Sequence, residues 1–280
     1  MHPRSSPAHD PVALALLEDI GQGDLTAQYF SDSALTTARL FAKQPMVIAG
    51  TKTAAEVFRR VCQNPVISIC SPDGSQVESN TSILEVTAPA DMLLSAERTA
   101  LNFLQRLSGI ATLTNRFVKA VAHTNTRILD TRKTTPGLRL LEKEAVLAGG
   151  GTNHRIGLYD MVMVKDNHIA ANSISHLHER ILRFKRDHPD IKIELEADTL
   201  EQVELFLTLP KIDVILLDNM DLESLRNAVR ITAGRVKLEA SGGVNLSTVA
   251  AIAETGVDFI SVGALTHSAP AVDISMEVLI

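Results

Sequence analysis

Cysteine is nearly absent: Cys62 and Cys70 are the only two in 280 residues. A lone pair at that spacing, with no CxxC and no nearby Cys/His partner, supplies no zinc site and no disulfide framework. Positive charge is not in excess either, because 27 Lys and Arg stand against 33 Asp and Glu for a net charge of -6. A general nucleic-acid binder would normally show the opposite balance. No apolar run approaches the roughly 20 residues of a membrane-spanning helix. The opening MHPRSSPAHDP has no apolar stretch of the kind a secretory signal carries, so the expected location is the cytoplasm. What remains, 45% hydrophobic and 21% charged, is the composition of a globular protein long enough for one large domain or two smaller ones.

The two halves of the chain differ in rhythm. Residues 1–110 mix element types, with a short helix at Pro11–Glu18 before GQGDL and β-like stretches at Leu35–Ile48, Val66–Cys70 and Ile83–Val86. Thr51–Val61 has helical apolar spacing through Ala55, Val57, Phe58 and Val61. From Asp91 a long helical pattern runs through Ala96, Ala100, Leu101, Leu104 and Leu107, and Gly109 is expected to interrupt it. Together these predict an N-terminal α/β domain.

Beyond about residue 125 short apolar runs alternate with helical segments. The runs are Ile128–Leu129, Met161–Val164, Ile191–Leu195, Val214–Leu217, Val236–Leu238 and Phe259–Val262. Helices are predicted with Pro136 in a first turn and Gly149 just past the end, and over Ser173–Arg186, Leu200–Leu209, Leu222–Ile231 and Leu246–Glu254. Repeated βα units imply a parallel sheet, and six of them without a GxGxxG loop fit a barrel better than a dinucleotide-binding fold. The expected domains are 1–110 and 111–269. Residues 270–280 possess strand character at Asp273–Val278, which either extends the barrel or returns to the first domain.

In βα barrels the chemistry sits at the C-terminal strand ends. Here those ends read Asp130-Thr131-Arg132-Lys133, Lys165-Asp166-Asn167-His168, Glu194 and Glu196, Asp218-Asn219, Glu239-Ala240-Ser241-Gly242-Gly243, and Gly263-Ala264. A single charged strand end is ordinarily a solvated edge; six in register point to a site. Arg132, Lys133, Arg155 and Lys165 form a cationic side suited to carboxylates or phosphates. Glu196 and Asp218 form an acidic side, which would repel phosphate unless a hard cation such as Mg²⁺ intervened. Ser241-Gly242-Gly243 and Gly263-Ala264 follow the last two strands, where barrels often bind phosphate through backbone N–H groups. The inferred substrates are a small acid and a magnesium-bound phosphorylated partner. His176 and His178, at i and i+2, share no helix face and make no metal pair, and Met161 and Met163 read as core filler.

Several of these segments carry a resemblance. EDIGQGDLTA at 18–27, SAERTALNFLQRLSGIAT at 95–112, DTRKTTPGLR at 130–139, GGGTNHRIGLYD at 149–160, KDNHI at 165–169, LLDN at 216–219 and ETGVDFISVGALTHS at 254–268 resemble the quinolinate phosphoribosyltransferase family over nearly the whole length. The resemblance implies an N-terminal α/β sandwich followed by an incomplete, six- or seven-stranded α/β barrel. The implied reaction condenses quinolinate with phosphoribosyl pyrophosphate to give nicotinate mononucleotide, pyrophosphate and carbon dioxide in NAD synthesis. It further implies that Thr131, Arg132, His154, Arg155, Lys133 and Lys165 line the quinolinate pocket. Glu196 and Asp218 serve the magnesium-bound ribosyl pyrophosphate, while Ser241, Gly242, Gly243, Gly263 and Ala264 take phosphate. Lys133, Lys165, Glu196 and Asp218 are the expected catalytic set. Arg98 would reach into a neighbouring subunit's site, making the enzyme a homodimer or larger. Glu144 stands where family members often have tyrosine. Without the motif around it, Arg98 is an ordinary exposed helix residue. Three other readings compete: a homologue of the same fold acting in molybdenum transport, a non-catalytic regulator that binds a phosphorylated metabolite, and a nicotinate-specific phosphoribosyltransferase, which would need only one carboxylate held. The intact KDNH argues against the first, and the retained acidic pair against the second.

Overall fold

The computed structural model describes residues 10–30, 33–165 and 174–279. They divide into two compact units: residues 1–115, 134–150 and 266–280 form one, and residues 116–133 and 151–265 the other. Residues 111–115, 134–150 and 266–269, placed by sequence within the 111–269 stretch, cluster with the first unit.

The first unit is built on an antiparallel sheet of strands β1 (Leu35–Ala42), β3 (Val66–Ile69), β5 (Ser82–Pro89) and β12 (Ile274–Leu279), in the order β12-β1-β5-β3. Strands β2 (Met46–Val47) and β4 (Gln76–Val77) pair separately. The single β stretch expected at Leu35–Ile48 is therefore two strands. β1 alternates so that Ala38, Leu40 and Ala42 are buried, the period-2 pattern of a half-buried strand. The Asp273–Val278 alternative resolves here, since β12 runs antiparallel to β1 from Thr37↔Leu279 to Ala42↔Ile274. Helix α1 (Pro11–Asp19) starts at Asp10, whose carboxylate caps the Val12 and Ala13 amides. Asp24 of GQGDL does the same for Thr26 and Ala27 at the start of α2 (Leu25–Phe30). Helix α3 (Thr51–Val61) buries Ala54, Ala55, Val57 and Phe58.

Helix α4 spans Ala90–Ala120 without a break at Gly109. A Cβ at Gly109 would run into the Pro270 carbonyl. This glycine serves close approach of the chain to the helix, not helix termination. Pro136 likewise lies outside its expected helix: Gly137 takes φ +80°, a turn follows, and α5 begins only at Arg139 and runs to Ala148. Glu144 is exposed on α5. Within this unit Arg106 on α4 binds the fully buried Glu142 on α5 at 2.8 Å and donates to the Thr266 and Ala269 carbonyls. Glu142 in turn accepts from the Thr135 amide and hydroxyl, at 3.1 and 2.7 Å.

The second unit contains six parallel strands among the described residues: β6 (Arg127–Leu129), β7 (Val162–Val164), β8 (Ile193–Ala197), β9 (Val214–Asp218), β10 (Lys237–Ser241) and β11 (Phe259–Ser261). Their order is β6-β11-β10-β9-β8-β7, an incomplete barrel. Helices α6 (Ile174–Asp187), α7 (Leu200–Phe206), α8 (Leu222–Thr232) and α9 (Val249–Ala253) follow the strands, and α10 (Ala264–His267) follows β11. α7 opens on a capping box in which Thr199 and Gln202 satisfy each other's amides. β8 and β9 are buried almost throughout, as parallel strands covered on both faces are. The pairing register sets Glu196 and Glu239 on either side of Leu216, and Ser241 beside Asp218.

Candidate active site

All six strands of the second unit end on the same side, and a cavity of about 520 Å³ lies there, within that unit. Thr131, Arg132 and Lys133 after β6, His154 and Arg155, and Lys165 after β7 line one part. Glu196, Asp218, Asn219, Glu239 and Ser241-Gly242-Gly243 from β8, β9 and β10 line the other. Eleven of the fourteen residues expected at the site line this cavity. Gly263 and Ala264 follow β11 but do not line it, and Ser261 is the lining residue from that strand. Arg98 is exposed on α4 in the first unit. Asp166, Asn167 and His168 lie outside the described residues.

The cationic part is held by the main chain that follows β6. Thr152 bridges to Leu129, and the buried Asp130 carboxylate accepts the His154 amide at 2.8 Å. The Arg155 amide then donates to His154 Nδ1 at 2.7 Å. Its guanidinium reaches the Met161 carbonyl at 3.3 Å and Met163 Sδ at 3.4 Å, so Met163, read from sequence as core filler, faces the site. Burial and the neighbouring Arg132 charge pull the Arg155 proton affinity below the usual arginine range, with Glu194 and Asp160 opposing.

Beneath these cations lie two carboxylates to which the sequence assigned no role. Glu194 Oε2 is 3.1 Å and Glu239 Oε2 3.4 Å from His154 Nε2, and both side chains are essentially inaccessible. Their Oε1 atoms have no hydrogen-bond partner among the described residues. Burial pushes the Glu194 carboxyl up to about 7, with Glu239 adding to the rise and His154 opposing it. Burial works against charging His154, while hydrogen bonds and charge from Glu194 and Glu239 oppose it and raise the proton affinity of the ring. Both shifts run upward, so the three groups as a set retain a proton at neutral pH. Glu194 is two residues before Glu196 on β8, which places both on one strand face; that spacing was the sequence signal available for it.

The acidic part is more open. Glu196 Oε2 pairs with Lys165 Nζ at 3.2 Å. Asn219 takes a left-handed φ of +52°, donates its side-chain amide to Asp218 Oδ2 at 2.8 Å, and its backbone N–H to the Ser241 carbonyl at 2.9 Å. Gly242, at φ +98°, has no room for a Cβ, which would strike Asn219 Oδ1. Asn219 therefore holds Asp218 and packs directly on the glycine loop, a role the motif LLDN did not disclose.

A parallel open barrel with cations on one side of its strand-end cavity, and carboxylates with a Gly-Gly loop on the other, belongs to the class of barrel enzymes that handle anionic and phosphorylated small molecules. Sequence models of the N-terminal and C-terminal domains of quinolinate phosphoribosyl transferase match residues 24–108 and 110–277; the chain belongs to that family. It is 44% identical over 263 residues to a probable carboxylating nicotinate-nucleotide pyrophosphorylase of Bacillus subtilis, covering 94% of this chain and 90% of the relative. The Mycobacterium leprae enzyme of that name is 40% identical, with 96% of each chain covered. A solved nicotinate-nucleotide pyrophosphorylase from Francisella tularensis superposes with a TM-score of 0.89 at 40% identity, over 96% of this chain and 94% of that one.

Proposed function

We propose that this protein transfers the ribosyl phosphate of phosphoribosyl pyrophosphate to quinolinate and decarboxylates the product. Nicotinate mononucleotide, pyrophosphate and carbon dioxide result, as a step in NAD synthesis. The observation that carries this is the polarity of the cavity, cationic beside β6 and β7 and acidic with a glycine loop at β8–β10, in a member of this family.

Arg132 and Arg155 grip the two ring carboxylates as planar forks, and Lys133 and Lys165 add point charges. Thr131 and His154 complete that wall. Ser241, Gly242 and Gly243 receive phosphate, with Gly263 and Ala264 nearby in the chain after β11. The pyridine nitrogen attacks the anomeric carbon while the bond to pyrophosphate breaks and pyrophosphate leaves with the electron pair. Positive charge growing on the ribose is stabilised by Glu196 and Asp218, already fixed by Lys165 and Asn219. The ribosylated ring is cationic, so the bond from C2 to its carboxylate can break with the electron pair left on C2. Carbon dioxide departs, and a proton then arrives at C2. Lys133 and Lys165 stabilise that carbanion.

Glu196 and Asp218 offer hard carboxylate oxygens, and no thiolate lines the cavity, a donor set that fits magnesium and not a soft metal. Glu196 and Asp218 are the residues that would hold magnesium, which would supply neutralisation of the phosphate charge. A homodimer in which Arg98 completes the neighbouring site belongs to the same proposal. Its support is that Leu14, Leu17, Leu25, Tyr29 and Phe30 of the first unit are exposed, an apolar set that a second copy would cover. A cytoplasmic location is likewise proposed; no helix of the described residues is long and apolar enough to cross a membrane.

The assay is pyrophosphate release. Phosphoribosyl pyrophosphate with quinolinate and magnesium gives release, nicotinate in place of quinolinate gives little, and chelation of magnesium stops it. Equal release with nicotinate, or indifference to chelation, contradicts the corresponding part.

A further inference from the structure

His154 is bonded at both ring nitrogens. Nδ1 accepts the Arg155 amide at 2.7 Å, so that nitrogen presents a lone pair and no proton. Nε2 lies 3.1 Å from Glu194 Oε2 and 3.4 Å from Glu239 Oε2, so Nε2 carries the proton and donates. A second ring proton would go on Nδ1 and would break the Arg155 bond. The two carboxylate oxygens that face Nε2 fall within 4.8 Å of one another and of the ring. Two glutamates from β8 and β10 thus converge on a histidine that lines the substrate cavity, although neither needs to reach the substrate itself.

The same pair bears on Arg155. Its guanidinium is half-buried and repelled by Arg132, and Glu194 supplies an opposing attraction. Its main chain is tied to the His154 ring. Displacement of that ring would shift the Arg155 backbone, and with it the fork that grips a carboxylate.

We propose that Glu194 and Glu239 are positioning residues for the acid-binding side of the cavity, holding His154 as its Nε2–H tautomer and through it fixing where Arg155 presents its guanidinium. This rests on the proposal that Arg155 binds a carboxylate of quinolinate. It differs from two other uses of such a cluster. As a metal trio, Nε2 would have to give its lone pair to the ion, which excludes a proton there. As inert core polarity, the pair would affect stability and leave substrate affinity alone.

The test uses the full-length enzyme. Turnover of quinolinate by the wild-type protein is established first, because its absence contradicts the functional proposal and not the tautomer. Nitrogen-15 NMR of the imidazoles, with the His154 signal assigned by its loss in His154→Gln, is expected to show pyridine-type Nδ1 and pyrrole-type Nε2. Glu239→Leu removes one acceptor at similar volume, and Glu239→Gln restores an acceptor without charge. The leucine variant is expected to raise the quinolinate KM roughly tenfold or more. Its KM for phosphoribosyl pyrophosphate stays within about twofold, and glutamine recovers most of the loss. A protonated Nδ1 in the wild type overturns the proposal whether or not the leucine variant folds. So does one equivalent of tightly bound metal lost on Glu239→Gln, or a leucine variant whose quinolinate KM is unchanged.

Discussion

At Arg132 and Arg155 the shape of the side chain matters as much as its charge. A guanidinium offers two parallel donors to one carboxylate, whereas an ammonium offers a point. Arg132→Lys and Arg155→Lys are each expected to raise the quinolinate KM by roughly tenfold to a hundredfold while leaving the thermal midpoint nearly unchanged. Steady-state kinetics with both substrates varied decides it, and unchanged constants for quinolinate would remove these arginines from the carboxylate clamp. The buried acids make a second prediction. In the unfolded chain Glu194 titrates near 4.5, but in the fold it rises to about 7. The folded protein therefore binds the extra proton more tightly than the unfolded chain does. Stability that this proton supplies is fully present below about pH 4.5 and is lost as pH rises through about 7. Urea unfolding is expected to show a fall of roughly 1–3 kcal/mol over that range, flattened in Glu239→Gln. A slope that is the same in the variant would place the titration elsewhere.

Among the elements, the strand ends were the most legible in sequence. The six apolar runs from Ile128 to Val262 became six parallel strands, because each is followed by a helix that only a parallel sheet accommodates. Their polar termini marked the cavity for the same reason. Element ends governed by packing were not legible. Gly109 looks like a helix breaker, and only the approach of Pro270 explains why the helix continues through it. Asn219 and Glu194 were visible only as members of polar strand ends, since their particular roles come from Gly242 and from His154. The α4–α5 pairing is another long-range fact: Glu142 has no signal of its own in LEKEAV, where Glu144 was the residue noted, yet it is fully buried against Arg106. Arg106→Ala would leave that carboxylate without its cation, which costs about 3–5 kcal/mol. Equilibrium denaturation measures this, and a loss below about 1 kcal/mol would mean that the Thr135 hydrogen bonds suffice for Glu142.

For the whole molecule, the proposed exchange of Arg98 between copies makes a prediction that no single chain can. An Arg98→Ala chain and a Lys133→Ala chain are each expected to be nearly inactive. Mixed under conditions that allow subunit exchange, they form heterodimers in which one site carries both defects and the other carries neither. Activity is expected to recover toward about a quarter of wild type at random equal mixing, which follows from half the dimers holding one intact site of two. No recovery, with exchange confirmed by differently tagged chains, would confine Arg98 to its own chain. The central claim is that one cavity joins ribose to the ring and then removes the 2-carboxylate, and carbon counting tests it most directly. Quinolinate labelled at the 2-carboxylate is incubated with phosphoribosyl pyrophosphate and magnesium, and labelled carbon dioxide and pyrophosphate are measured together. The account predicts one labelled carbon dioxide for each pyrophosphate, with nicotinate mononucleotide as the other product. Pyrophosphate released without labelled carbon dioxide, or a product that keeps both carboxylates, would contradict it.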